Sequence, residues 1–170
     1  MLKRALANIV LSSKSAFDHK KRKSEFLSWD KIEKVALIIN KRDNINKSDV
    51  DRFINDTKKY VEVFYIELDS KTPTYHDWNC FTKKDKTFLG LPARPVHQGL
   101  RGKQFDVVIN TCQEIEIYST AIARILHAPL KCGSMNRFHD SDLVIKKTGI
   151  NTFMDYLHEV VRYLKMIRVS

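Results

Sequence analysis

The chain has 170 residues, with 30 Lys and Arg against 20 Asp and Glu and a formal net charge of +10. That length suits one domain with a sizeable core, and a hydrophobic content of 43% argues against wholesale disorder. Three cysteines, Cys80, Cys112 and Cys132, with no C-x-x-C pair, argue against a disulfide framework and point to a reducing, cytoplasmic setting.

From Leu2 to Phe26 the pattern is helical, with Leu2, Leu6, Ile9 and Val10 on one face. The apolar stretch ALANIVL is at the short limit for a signal peptide and lacks a small-residue cleavage site, so it is read as retained. No apolar run approaches the roughly 20 residues that span a bilayer. The stretch HKKRKSE then concentrates positive charge, and residues 1–30 read as a basic amphipathic arm. Lys20, Lys21, Arg22 and Lys23 are candidate contacts for RNA, a ribosome or an anionic membrane face. The plain alternative is a helix docked by its apolar side with the basic side in water.

Residues 31–170 read as a single α/β domain. KVALIIN, Lys34 to Asn40, is a strand buried on both faces. The following helix is expected to start at Ser48, with Asp51 as the third residue of a capping box and Val50, Phe53 and Ile54 inward. VEVFYIEL, Val61 to Leu68, is the second strand, and strand–helix–strand in this order makes the two strands parallel. Tyr60, Phe64 and Tyr65 are read as packing rather than as a nucleic-acid stacking surface.

Residues 69–104 read as a long irregular insert, with a strand-like piece at Lys86 to Leu91. Its Lys83, Lys84, Arg94, Arg101 and Lys103 are candidate phosphate contacts. Gly99 and Gly102 mark either a backbone anion nest or a basic turn. His76, Asp77 and Cys80, with His97 at a distance, lack the paired spacing of a zinc motif, so no metal is assigned.

FDVVIN is the third core strand and introduces a helix over Glu114 to Leu126. APLKCGS and DLVIK read as two further short strands, and a strong amphipathic helix runs from about Asn151 with Phe153, Met154, Leu157, Val160, Val161, Leu164 and Ile167 inward. Strands alternating with helices give an α/β three-layer sandwich with a mainly parallel sheet of about five strands, flavodoxin-like or Rossmann-like.

In such sheets a ligand sits beyond the carboxyl ends of the strands, where the strand order reverses. Asn40, Asp69, Asn110, Thr111, Cys112 and Ser134 fall on that edge, and Asn40, Asn110, Thr111, Cys112 and Ser134 are the candidate ligand-binding set. Thr111 and Glu114 form T-x-x-E, a capping box that explains both residues structurally. Cys112 would lie in the first turn, where the helix dipole favours a thiolate, but a nucleophile needs a base. His127 is at the far end of the same helix, roughly 20 Å away. No catalytic residue is assigned. G-x-G-x-x-G, the Walker loop and G-x-S-x-G are all absent, so no cofactor is assigned.

The ordered set of a basic first helix, KVALIIN, DWNCF, FDVVIN, IEIYSTAIARILHAPLKCGS and DLVIKK resembles a family of small, uncharacterised α/β proteins of Bacteroidota. That resemblance implies a fold and no catalytic residues. Phe105 to Ser134 also resembles the sheet portion of heptosyltransferase-type glycosyltransferases, although the chain is too short for the two domains such enzymes use. Three functions follow as expectations. The first is a non-catalytic domain binding an acidic partner, RNA or a ribonucleoprotein. The second is a small-molecule or nucleotide-binding enzyme at the strand ends. The third is a structural or oligomeric role with the last helix as a dimer face.

Overall fold

The sheet is built around the two most continuously apolar segments of the chain. Strand β1 (Lys34–Asn40) is buried at every position after Lys34, and β4 (Val107–Asn110) pairs beside it. A strand covered on both faces needs apolar side chains throughout rather than alternation, and VALII supplies them. The computed structural model describes residues 5–7, 9–10, 23–43, 45–112, 117–134, 141–146 and 152–167. The other strands are β2 (Tyr60–Ile66), β3 (Asn79–Phe81), β5 (Leu130–Gly133) and β6 (Leu143–Val144). All ladders are parallel, in the order β3-β2-β1-β4-β5-β6.

Helices α1 (Lys47–Thr57) and α4 (Phe153–Met166) cover one face, and α2 (Arg94–Arg101) and α3 (Ile117–Ile125) cover the other. The pleat divides β1 between them. Val35, Leu37 and Ile39 pack with Val50 and Phe53 of α1 and Leu157, Val160 and Leu164 of α4. Ala36 and Ile38 face Leu100 of α2 and Ile122 and Ile125 of α3. Fully burying one such Leu or Ile is worth roughly 1.5–3 kcal/mol. The expected three-layer α/β sandwich is therefore present, with six strands rather than about five.

Several local expectations need correction. The first helix does not continue to Phe26: residues 5–7 and 9–10 are helical, but 23–28 have no regular structure. There Glu25 N–H donates to the Pro129 carbonyl (3.1 Å) and Ser24 Oγ donates to Asp142 (2.7 Å), which ties the segment to the start of β5 and β6. Helix α1 begins at Lys47, so Ser48 is inside it, and Lys47 pairs with Asp51 one turn on (2.9 Å). The 69–104 region holds β3 and α2, neither of which was expected. Lys86 to Leu91 is a tight turn instead of a strand, closed by an isolated Lys86–Pro92 bridge. The Gly99–Gly102 nest is also ruled out. Gly99 lies within α2, and Gly102 sits just past it at φ −89°, whereas a nest alternates right- and left-handed residues. Pro95 falls in the first turn of α2, where its missing N–H costs nothing. At the other end of the chain Thr152 caps α4 by accepting from Asp155 N–H (3.1 Å).

Candidate functional site

The strand order reverses between β1 and β4, so the crevice of this architecture opens beyond their carboxyl ends. Asn40 ends β1, and its Oδ1 accepts from Arg42 N–H (2.9 Å). Asn110 ends β4, and its Oδ1 accepts from Cys112 N–H (3.2 Å). The same turn, made by the same residue type, thus finishes both central strands. Thr111 is fully buried between them: its hydroxyl and its N–H both donate to the Ile38 carbonyl, at 2.9 and 3.0 Å. Ser134, one residue past β5, donates its hydroxyl to the Cys112 carbonyl (2.7 Å). Four of the five predicted residues, Asn40, Asn110, Thr111 and Ser134, are brought to one edge, and each bonds to the backbone that closes it. Glu114, the proposed capping partner of Thr111, lies outside the described residues.

Cys112 is buried in the apolar layer under α2 and α3 rather than presented at the edge. His127 sits at the opposite, amino edge, where its N–H donates to Lys103 and its carbonyl accepts from Phe105 N–H. The two cannot act together. Cys132 in β5 is equally enclosed, and burial pushes its thiol up to about 12, the reverse of an activated nucleophile.

Two features escaped the sequence reading, the first of them at this edge. Glu67, just past β2, has a completely buried side chain whose carboxylate accepts from Thr74 N–H (2.6 Å) and Thr74 Oγ (2.5 Å). Lys41 Nζ lies 3.9 Å from it and donates to Ser70 Oγ (3.2 Å), while Arg42 faces Asp69 at 3.7 Å. The cations that follow β1 are thus matched by acids that follow β2.

The second feature is a cavity of about 390 Å³ beside β2 and β3, walled by Trp78, Tyr60 and Ile54 and by Asp51, Asp77 and Glu62. Its charges are compensated. Lys47 lies 5.3 Å from the Trp78 ring centre and pairs with Asp51 and Asp77 at 2.9 Å each. The two carboxylates raise the Lys47 pKa, and Lys47 lowers that of Asp77. Lys103 pairs with Glu62. Cys80, considered above for a metal, donates its thiol to the Tyr75 carbonyl (3.0 Å), and burial raises its pKa.

The candidate phosphate contacts divide between the two edges of the sheet. Lys83 and Lys84 lie in a 3-10 turn directly after β3, and Arg94 opens α2 beside them, because Ala93 N–H donates to the Asp85 carbonyl (2.9 Å). All three are exposed at the carboxyl edge, and among the described residues none has a carboxylate partner. Arg101 ends α2 at the amino edge, where Lys103 follows. Lys23 is exposed; Lys20, Lys21 and Arg22 lie outside the described residues.

An all-parallel sheet in this order with helices on both faces defines a doubly wound, Rossmann-like α/β protein. The model of DUF6913, a family of unknown function, matches residues 3–167, and the chain belongs to that family. No curated protein and no solved structure matches it. No helix among the described residues is long and apolar enough to cross a membrane.

Proposed function

We propose that this chain is a binding domain for a polyanion, RNA in the first instance, and that the contact surface is the carboxyl edge around Lys83, Lys84 and Arg94. One observation carries the reading: these three cations are exposed on neighbouring turns and, among the described residues, form no ion pair (the carboxylate of adjacent Asp85 is taken by Thr82), whereas Lys41, Arg42, Lys47 and Lys103 are each paired. A net charge of +10 supplies the attraction at longer range. Lys20, Lys21, Arg22 and Lys23 add to that net charge. The test is RNA binding by the nuclease-treated protein over a salt series. Replacing Lys83, Lys84 and Arg94 by Ser should flatten the dependence of log K on log salt by about 2, at roughly 0.7 per phosphate contact on a single strand. Arg101→Ser, at the other edge, should leave it unchanged. An unaltered slope in the triple variant refutes the surface.

A second reading is supported by the strand order itself. The β1–β4 switch point is where this fold class holds small anionic ligands, and Asn40, Asn110, Thr111 and Ser134 line that edge. The resemblance of residues 105–134 to glycosyltransferase sheets belongs with it and suggests a nucleotide-sugar or sugar-phosphate ligand. Native mass spectrometry of the purified protein, followed by thermal shift with nucleotides and nucleotide sugars, tests it. No copurified ligand and no shift would reject this reading.

A further inference from the structure

We propose that the open half of β2 takes up an extended peptide as an added strand, and that an arginine of that peptide enters the cavity beside Glu62. The inference is independent of the polyanion reading. The cavity flanks the amino half of β2, whereas Lys83, Lys84 and Arg94 stand at the carboxyl edge of the sheet.

Every residue of β2, Tyr60 to Ile66, pairs with β1, but on the other side β3 pairs only with Phe64 to Ile66. In a parallel ladder successive residues turn their N–H and C=O groups to opposite neighbours. Tyr60 N–H donates to the Glu33 carbonyl (3.0 Å), so Tyr60, Glu62 and Phe64 face β1. Val61 and Val63 therefore face outward, as Glu67 does where its N–H donates to the Phe81 carbonyl (2.9 Å). The Val63 carbonyl is met by Asn79 Nδ2 (3.2 Å). Among the described residues no strand stands opposite Tyr60 to Val63 on this side. The N–H and C=O of Val61 and the N–H of Val63 are thus an unused template for a further strand.

The cavity of about 390 Å³ lies along this same stretch, with Tyr60, Val61, Glu62 and Val63 in its wall. Ligand pockets span about 300–1,000 Å³, so the space suits a guest. It straddles the edge of the sheet. Val61, Ile54 and Trp78 pack with the layer under α1 and α4, while Glu62 follows the pleat to the side of Phe64, under α2 and α3. An added strand sends alternate side chains to those two sides: one meets Ile54 and Trp78, and its neighbour meets Glu62.

Charge selects the guest. Asp51, Asp77 and Glu62 wall the cavity, and none of its described wall residues is a cation. Each acid has a lysine partner, yet Lys47 and Lys103 are two ammonium groups serving three carboxylates. Glu62 accepts from Lys103 and from Asn79 Nδ2 (3.0 Å), both on Oε1, which leaves Oε2 for the guest. A guanidinium fork matches a carboxylate and stacks on aromatic rings, so arginine suits this wall better than lysine. Backbone bonds along β2 would supply affinity and the acidic cavity specificity, as in other strand additions.

The experiment follows binding to the full chain by fluorescence anisotropy with three labelled probes. These are the peptide Thr-Val-Arg-Val-Thr with blocked ends, the same peptide with citrulline for arginine, and the same peptide N-methylated throughout. Citrulline keeps the shape but not the charge and should weaken binding by about 10- to 150-fold. N-methylation removes the backbone donors and should cost about 10-fold or more. Glu62→Gln should weaken the arginine peptide and leave the citrulline peptide where it was. Hydrogen exchange at Val61 N–H should slow in the complex. The peptide variants act on the unaltered protein, so the answer does not depend on how Glu62→Gln folds. No saturable binding of the arginine peptide up to millimolar concentration overturns the proposal. Arginine amide binding as tightly as the peptide overturns it as well, because the cavity is then a cation site without strand addition. If Val61 N–H is already protected in the free protein and light scattering shows a dimer, a second copy holds the edge and the proposal falls.

Discussion

Glu67 offers the sharpest test of whether the carboxyl edge is held together as described. Its carboxylate is wholly enclosed, takes two hydrogen bonds from Thr74, and has Lys41 at 3.9 Å. Its backbone is engaged as well, since its N–H donates to the Phe81 carbonyl and its carbonyl accepts from Ser70 N–H, each at 2.9 Å. One residue thus fastens the connection from β2 to the short strand β3. Glu67→Ala removes two charge-assisted bonds, each worth about 1.5–3 kcal/mol. Thr74 is exposed, so its donors regain water, and the low end applies: about 3 kcal/mol in total. For a chain of 170 residues, at about 2.1 cal/mol/K of unfolding entropy per residue, that lowers the melting temperature by about 8 °C. Glu67→Gln keeps one acceptor, turns an amide towards a donor, and should lose about half as much. Thermal unfolding followed by circular dichroism gives the number. Trypsin cleavage after Lys71 reports the local opening and should quicken in both variants. A Glu67→Ala protein that melts with the parent and resists trypsin equally would refute the stapling role.

Three further outcomes follow from the packing. Thr111→Val keeps the shape but removes the hydroxyl bond to Ile38 between the two central strands, and should cost about 1 kcal/mol; an unchanged urea midpoint would count against that bond. Leu157→Ala empties a fully buried position under α4 and should cost about 2–5 kcal/mol, read as a lower urea midpoint with the slope retained. If the midpoint stays put, α4 is not docked as described. Cys132 gives an alkaline signature. Burial holds its thiol protonated to about 12, while the unfolded thiol releases its proton near its ordinary 9. Between those values the unfolded chain binds fewer protons than the folded one, so stability falls as pH rises, by about 1.4 kcal/mol per unit. The decline that begins near pH 9 should shrink in Cys132→Ala, leaving the part that Cys80, also raised by burial, contributes from the same pH in both proteins. Tyr65, pushed up to about 12 by burial first and by Tyr75 next, adds a similar decline above its ordinary 10 in both proteins. A decline from pH 9 that is undiminished in Cys132→Ala would show that Cys132 is not buried in this way.

Most of the sheet was legible because two-sided burial leaves a direct mark. Val35 to Ile39 and Val107 to Ile109 cannot be anything but apolar, and strand direction follows once helices intervene. The candidate edge was readable for the same reason: Asn40, Asn110, Thr111 and Ser134 simply follow the strands. What could not be read depends on distant partners. Asn79 to Phe81 is too short to show a period, and it is a strand because Phe64 to Ile66 are there to pair with it. Arg94 to Arg101 carries Pro95 and Gly99, which suggest a turn, yet packing against α3 makes it a helix. Lys86 to Leu91 holds a short apolar run that suggests a strand, but Gly90 bends it back on itself. Glu67 looks like any acid after a strand, and nothing in its neighbours announces that Thr74, seven residues on, will enclose it. The five candidate phosphate contacts of the insert look like one group along the chain, and only the path of α2 separates Lys83, Lys84 and Arg94 from Arg101 and Lys103.

The strand order also fixes how this chain must be made. β1 is in the middle of the finished sheet but is the first of its six strands to leave the ribosome. Its partner on one side, β2, is complete at residue 66, whereas β4 is complete only at residue 110. At about 5–20 residues per second, an open apolar edge of β1 waits roughly 4–14 s for β4. One face of β1 then has only α1 upon it until α4 has emerged at residue 166. Nascent chains arrested before α4 should therefore remain open to protease where longer ones resist. The nascent chain must keep its most apolar segment apart from its neighbours until β4 and then α4 have emerged.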